Sequence, residues 1–129
     1  MLKEFNTFIS EMNCTTSTNE KVEVMSRANR DIRRVLYYTY NTFLQYNITA
    51  KVLDKKKDLV NKDTKFVSIF GLLDSLNQRL ITGHKAIEET NGFIYNNPEY
   101  KELLYLILER NLKIRASVKL INKAHPGLI

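Results

Sequence analysis

Apolar residues recur at three- and four-residue spacing along most of the chain, which predicts helices rather than strands. The first such stripe lies within residues 2–12. Ser17 with Glu20 three residues later forms a capping-box pattern, which predicts a short second helix ending near Arg27. Asn29 is placed to cap a third helix. Its expected buried stripe is Ile32, Val35, Leu36, Tyr40, Phe43 and Leu44.

The periodicity lapses between residues 47 and 65, where lysines crowd into a polar segment. This pattern predicts a loop, with or without a helical turn. Ser68 opens the next predicted helix, and Thr82-Gly83 both ends it and begins another. The residues expected to face inward on the first of these helices are Ile69, Leu72, Leu73, Leu76 and Leu80. Those on the second are Ala86, Ile87, Thr90, Phe93 and Ile94.

The last third of the chain begins with Asn97-Pro98, a cap followed by a first-position proline. The helix that follows, within residues 100–108, is apolar nearly all round, so we expect it to be buried on most sides and central. Ser117 caps a last short helix that ends before Pro126. We therefore expect an all-α fold, a compact single-domain bundle of about six or seven short helices around that central helix.

The composition narrows the classes of partner. Twenty Lys and Arg against fourteen Asp and Glu give a net charge of +6, which favours nucleic acid or an anionic membrane surface. No stretch approaches the roughly 20 apolar residues that cross a bilayer. The first residues lack the features of a signal peptide, and Cys14 is a single cysteine, so we expect an intracellular chain with a free thiol and no membrane partner.

Arrangements of residues that support catalysis or bind metal are not found. His84, His125 and the single cysteine do not have zinc-site spacing, and the four glycines are too far apart for a phosphate-cradling loop. Glu88 and Glu89 have lysines nearby, which favours a solvated, salt-bridging helix face over acid-base chemistry. We therefore expect this chain to bind no metal and no cofactor.

One candidate anion site lies on the last helix. Lys119, Asn122 and Lys123 share a face on the helical wheel, opposite the apolar residues. Arg115 precedes the helix, and Ser117 lies at its start, where free N–H groups and the macrodipole favour an anion. An ordinary cap with a solvated face is the alternative.

A second candidate lies at the helix start formed by Thr82, Gly83, His84 and Lys85. It offers a hydroxyl, uncovered backbone amides and a lysine at a positive helix end. A plain helix-helix turn, with His84 as a surface side chain, is the alternative. We expect this start and the one at Ser117 to share a face and to seat one line of phosphates.

A third basic group lies near the beginning of the third helix and contains Arg27, Arg30, Arg33 and Arg34. Cations there oppose the helix dipole, at a cost of about a few tenths of a kcal/mol or more. Relief by an anionic partner, with Arg34 as a contact, and relief by acids such as Asp31 are equally open.

The tyrosines and the polar helix faces bear on the kind of nucleic acid contact. The helical spacing of Tyr37, Tyr38, Tyr40 and Tyr46 favours core and rim packing over base stacking. No helix presents several Arg, Asn and Gln on one face, so reading of bases through the major groove has little support. The pattern favours contact with the nucleic acid backbone.

Three ordered blocks of residues form a more specific pattern. The first is Arg34-Val35, Thr39-Tyr40 and Leu44-Gln45-Tyr46. The second is Leu80, Thr82, Gly83, Ala86, Ile87, Glu88, Glu89, Thr90 and Gly92, with Phe93 and Ile94. The third is Arg110, Leu112, Ala116, Ser117, Val118, Asn122, Lys123, Pro126, Gly127, Leu128 and Ile129. Over nearly the whole chain this pattern resembles the N-terminal domain of T-even-phage-type ATP-dependent DNA ligases.

The resemblance implies a helical domain that lies across the minor groove on both sides of a nick and holds phosphates. The contacts that it implies are Thr82, Gly83, Lys85, Ser117, Lys119 and Lys123. The family usually has glycine where this chain has Arg115. Because glycine lets a backbone approach phosphate closely, the arginine favours a side-chain contact instead.

The resemblance also implies what this chain does not do. The nucleophile of the family is a lysine in a Lys-x-Asp-Gly motif of the following domain, and this motif is absent here. We therefore expect a non-catalytic domain of a longer ligase, whose other domains use ATP and Mg²⁺. The expected partners of this monomer are nicked double-stranded DNA and the catalytic domains of the same ligase, in the cytoplasm of the host cell if it is phage-encoded. A module that docks a replication protein such as the sliding clamp is the alternative.

Overall fold

The computed structural model describes residues 1–129, and every regular element in it is helical. The elements are α1 (Leu2–Cys14), α2 (Thr18–Ser26), α3 (Arg30–Tyr40), α4 (Ala50–Lys55), α5 (Ile69–Asn77), α6 (Gly83–Asn96), a 3₁₀ turn (Pro98–Tyr100), α7 (Lys101–Leu108) and α8 (Val118–Ala124). The predicted all-α fold is confirmed. One helix more than expected is present, because the lysine-rich segment contains α4. None of the helices has both the length and the apolar character needed to span a membrane.

The chain divides into two compact units. The first unit comprises residues 1–41 and 110–129 and contains α1, α2, α3 and α8. The second unit comprises residues 42–109 and contains α4 to α7. The expectation of a single domain stays a prediction.

The side-chain caps predicted for α2 and α3 are present. The Ser17 hydroxyl accepts a hydrogen bond from the Glu20 N–H at 3.2 Å, and the Glu20 carboxylate accepts one from the Thr16 N–H at 2.9 Å. The Asn29 side-chain oxygen accepts one from the Ile32 N–H at 2.9 Å. These bonds satisfy donors that the first turn of a helix leaves unpaired, so the helices begin where the sequence indicates.

In the first unit, α2 packs against both α1 and α8. The core of this unit consists of buried residues from all four helices, from the loop between α2 and α3, and from the segment before α8. These residues are Phe5, Phe8, Met12, Val24, Met25, Ala28, Ile32, Val35, Leu36, Leu112, Ile114 and Ile121. The predicted stripe of α3 was too long, because the helix ends at Tyr40. Phe43 is 92% exposed and Leu44 is half-buried, and both belong to the second unit.

In the second unit, α6 packs against α4, α5 and the 3₁₀ turn, and that turn packs against α7. The buried residues of α5, α6 and α7 include Ile69, Leu72, Leu73, Leu76, Ala86, Ile87, Phe93, Leu103, Leu104, Ile107 and Leu108. The inward position predicted for Leu80 was wrong, since this side chain is 69% exposed.

The end of α5 explains that error. Arg79 has a φ of +57°, its N–H donates to the Leu76 carbonyl, and the Leu80 N–H donates to the Ser75 carbonyl at 2.9 Å. This pair of bonds is a Schellman motif, which usually has glycine at the left-handed position. Because Arg79 adopts the left-handed backbone here, α5 ends at Asn77. This is earlier than the end at Thr82-Gly83 predicted from the sequence.

Gly92 allows the lysine-rich segment to lie directly against α6. A Cβ atom on Gly92 would lie 2.0 Å from the Asn61 carbonyl oxygen. The Asn61 N–H donates to the Glu88 carbonyl at 2.9 Å, and the Asn61 side chain donates to the Glu89 carboxylate at 2.9 Å. The Thr64 hydroxyl donates to the same carboxylate. Glu89 therefore holds this segment in place, and the salt-bridging role predicted for it was wrong.

We predict that Gly92→Ala lowers the free energy of unfolding by about 2 kcal/mol or more, because the added methyl group meets backbone rather than a movable side chain. Gly71→Ala is the matched control, since a Cβ there meets only the Ser68 Cβ at 3.9 Å. Alanine is the better helix former, so Gly71→Ala should raise stability by about 0.5–1 kcal/mol. Urea denaturation of both variants tests this, and equal effects would contradict it.

Candidate nucleic-acid interface

The start of α6 is exposed at Thr82, Gly83, His84 and Lys85. The Thr82 side chain makes no capping hydrogen bond, unlike the residues that precede α2, α3, α4, α5 and α8. Gly83 has a φ of +58°, with nothing within 4 Å of a Cβ built on it. Glycine is thus required there by conformation and not by space. The first-turn amides of a 14-residue helix, with the positive end of its dipole, are therefore left without a side-chain acceptor.

Lys65 lines the same cavity as Lys85, although it was not among the predicted site residues. The two lysines line one cavity of about 290 Å³, together with Asn61, Asp63, Phe66, Ile81 and Glu89. The hydrogen bonds of Asn61 and Thr64 to Glu89 place Lys65 there. The crowding of lysines in this segment was the available signal, but only its docking on α6 selects one of them.

The start of α8 belongs to the first unit and differs from that of α6. The Ser117 hydroxyl accepts a hydrogen bond from the Leu120 N–H at 3.2 Å, so it is engaged as a cap. Lys119 and Lys123 are exposed, while Ile121 is fully buried, as the helical wheel predicts. This face therefore offers two ammonium groups, and the Ser117 hydroxyl keeps its hydrogen available as a donor. That it shares one face of the molecule with the start of α6 stays a prediction.

Asn122, the third residue predicted for this face, forms hydrogen bonds with the backbone of Ile129. Its side-chain oxygen accepts a hydrogen bond from the Ile129 N–H at 2.9 Å, and its side-chain nitrogen donates to the Ile129 carbonyl at 3.5 Å. The side chain is half-buried. Asn122 is therefore less available to an external partner than Lys119 and Lys123.

The segment before α8 alternates buried apolar and exposed basic residues. Leu112 and Ile114 are fully buried, whereas Lys113 and Arg115 are exposed, with φ values of +58° and +56°. A left-handed backbone is costly for any residue with a Cβ. Arg115 therefore has the conformation that glycine adopts freely.

Two side chains brace this segment. The Tyr40 hydroxyl accepts a hydrogen bond from the Leu112 N–H at 3.0 Å, and burial raises the pKa of Tyr40 although this bond lowers it. The Lys21 ammonium donates to the Arg115 carbonyl at 3.0 Å. No role was predicted for Lys21, because it lies 94 positions from Arg115 in the sequence. Only the packing of α2 against α8 brings the two residues together.

Most of the predicted basic residues are not neutralised within the molecule. Lys85, Arg115, Lys119 and Lys123 form no ion pair. In contrast, the Arg27 guanidinium lies 3.3 Å from the Glu11 carboxylate and 4.0 Å from that of Glu23. Acids therefore relieve part of the third basic group. Arg34, on α3, is exposed.

We predict that Arg115→Gly raises the free energy of unfolding by about 1 kcal/mol, because glycine adopts the left-handed backbone without the Cβ penalty. Arg115→Ala removes the same charge but keeps the penalty, so it should stay within about 0.5 kcal/mol of the parent protein. Chemical denaturation of both variants is the measurement. The prediction fails if alanine stabilises the chain as much as glycine does.

Comparison with known proteins relates the chain to ligases. It is similar to the DNA ligase of Enterobacteria phage T4, with 31% identity over an alignment of 129 positions that covers 94% of this chain. The DNA ligase of Enterobacteria phage T6 matches to the same extent. No family model matches the chain. The chain spans 26% of the length of each of these two relatives. It is therefore related in sequence to part of the phage DNA ligases, as its three blocks of residues predict.

Proposed function

We propose that this chain is the non-catalytic, N-terminal DNA-binding domain of an ATP-dependent DNA ligase. In this role it holds the minor-groove backbone of nicked duplex DNA without sequence specificity and supports nick sealing in replication and repair. The observation that carries the proposal is that Lys85, Arg115, Lys119 and Lys123 are exposed and form no internal ion pair. They lie in a chain similar to phage DNA ligases over 94% of its length. The proposed contacts are Arg34, Thr82, Gly83, His84, Lys85, Arg115, Ser117, Lys119 and Lys123, with Asn122 as a secondary one.

Binding of this kind depends on charge and not on base identity. Each phosphate neutralised by a lysine or arginine releases condensed counterions, which makes affinity fall with salt. Lys119 and Lys123 form no internal ion pair, so no existing contact opposes their binding to phosphate. The uncapped amides at the start of α6 add donors of fixed direction near Lys85.

We predict that Lys119→Gln and Lys123→Gln each flatten the slope of log K against log salt by about one unit on nicked duplex DNA. The slope should be near −0.9 per neutralised phosphate. Titration of nicked, intact and single-stranded DNA at several salt concentrations is the measurement. Lys3→Gln is the matched control, because Lys3 is exposed on α1 and lies outside the proposed contacts. Variants that bind as the parent protein does, with the same slope, would contradict the proposal.

The combined variant Lys85→Gln with Lys119→Gln tests whether both helix starts contact one duplex. Each residue belongs to a different unit, so a shared ligand should flatten the slope by about two units in the double variant. A double variant no flatter than one of the single variants would mean that only one start contacts DNA.

The chain should not become covalently adenylated, because it lacks a Lys-x-Asp-Gly motif. ATP and Mg²⁺ would be bound by the other domains of such a ligase. Incubation with labelled ATP and Mg²⁺, followed by denaturing electrophoresis, tests this. A labelled band that resists denaturation would show that the chain is itself an enzyme.

A second candidate function is docking of a replication protein such as a sliding clamp. A groove of about 900 Å³ in the first unit favours it, because Glu4, Glu11, Glu20 and Glu23 line it and give it an acidic surface. A complex that survives high salt and nuclease treatment would support this function over DNA binding.

A further inference from the structure

A groove on the side of α3 brings together arginines and tyrosines. Its lining residues are Arg30, Arg33, Arg34, Tyr37, Tyr38 and Leu128, all in the first unit. Its volume is about 330 Å³. This value lies within the range of roughly 300–1,000 Å³ typical of small-molecule sites. The groove is therefore large enough for a group of about nucleotide size.

The charged side chains that line this groove are all arginines. No acid is among its lining residues, and Arg30 forms no ion pair. One N–H of the Arg33 guanidinium donates to the Ala28 carbonyl at 2.8 Å, and a guanidinium has five such donors in all. Both arginines lie in the first turn of α3, where the helix dipole adds to the positive potential. An anion with several acceptor oxygens, such as a phosphate, matches this arrangement.

The aromatic side of the groove contains a solvent-accessible ring, that of Tyr37. Tyr37 and Tyr38 are edge-to-face, with ring centroids 5.7 Å apart and planes at 87°. Tyr37 is 37% exposed, in contrast to the buried Tyr46. The spacing of the tyrosines predicted rim packing, and at Tyr37 the rim borders the three arginines. A base can stack on such a ring whatever its identity.

We propose that this groove binds one unpaired nucleotide of a DNA strand, with its phosphate on Arg30 and Arg33 and its base against Tyr37. The inference rests on the proposed function and adds a second contact to it, separate from the lysines of α8. An acidic peptide would satisfy the guanidinium groups but would make no use of the aromatic ring. A phosphate joined to a planar base uses both halves of the groove.

The test is binding of a short fluorescent thymidine oligonucleotide, measured by anisotropy with the full chain. Tyr37→Leu should weaken binding roughly fivefold or more, the size of effect known for loss of a base-stacking side chain. Arg30→Gln should also weaken binding, because it removes a charge that faces the phosphate. Tyr37→Phe and Arg30→Lys are the conservative controls and should keep most of the affinity, since they retain the ring and the charge. Thermal unfolding checks that every variant is folded.

An abasic oligonucleotide with the same number of phosphates separates stacking from charge. It should bind more weakly than the thymidine oligonucleotide, and Tyr37→Leu should not weaken it further. If Tyr37→Leu weakens both probes equally, or an acidic peptide displaces thymidine as well as unlabelled thymidine does, the nucleotide assignment is overturned.

Failure of this inference can be distinguished from failure of the proposed function. Lys119→Gln should weaken binding of nicked duplex and leave the response of the thymidine oligonucleotide to Tyr37→Leu unchanged. If oligonucleotide binding ignores Arg30 and Tyr37 while duplex binding depends on Lys119, the groove proposal alone is wrong. If the chain binds no duplex but binds the oligonucleotide through Arg30 and Tyr37, the duplex proposal alone is wrong.

Discussion

Burial of Leu112 and Ile114 is the constraint on which the basic surface of the first unit depends. These two side chains are fully buried and a single residue separates them. The residue between them, Lys113, and the residue after them, Arg115, therefore point outward. The backbone achieves this with left-handed conformations at Lys113 and Arg115. The cost of those conformations is offset by apolar burial, which contributes roughly 25 cal/mol per Å². The result is a pair of exposed cations, Lys113 and Arg115, shortly before α8.

The basic residues of the chain differ in whether they form ion pairs or hydrogen bonds within the protein. Arg27 pairs with Glu11 and Glu23, and Lys21 donates to the Arg115 carbonyl. Lys119 remains exposed without an internal partner. An exposed cation of this kind contributes little to stability but is available to neutralise a phosphate, which releases counterions condensed on the polyanion. Charge alone therefore does not mark a binding residue, and its internal partners must be known as well.

Local chemistry made the helix starts predictable. Ser17, Asn29 and Ser117 each cap the helix that the sequence assigns to them, because a cap needs only a side-chain oxygen and the next three residues. The errors at Phe43 and Leu80 both concern helix ends. A helix end depends on which residue adopts the left-handed or extended backbone, and arginine can do so where glycine is expected.

The sequence by itself determined the helical fold, the starts of the helices and the segments in which basic residues concentrate, since these follow from periodicity and from contacts within four residues. Only the tertiary structure decided which basic residues remain exposed and unpaired. Lys21 donates to the Arg115 carbonyl across 94 positions, and Lys65 lines the same cavity as Lys85 because Glu89 binds Asn61, so both arrangements depend on packing. A pairing between distant positions leaves no periodic trace in one sequence, so it cannot be predicted from spacing.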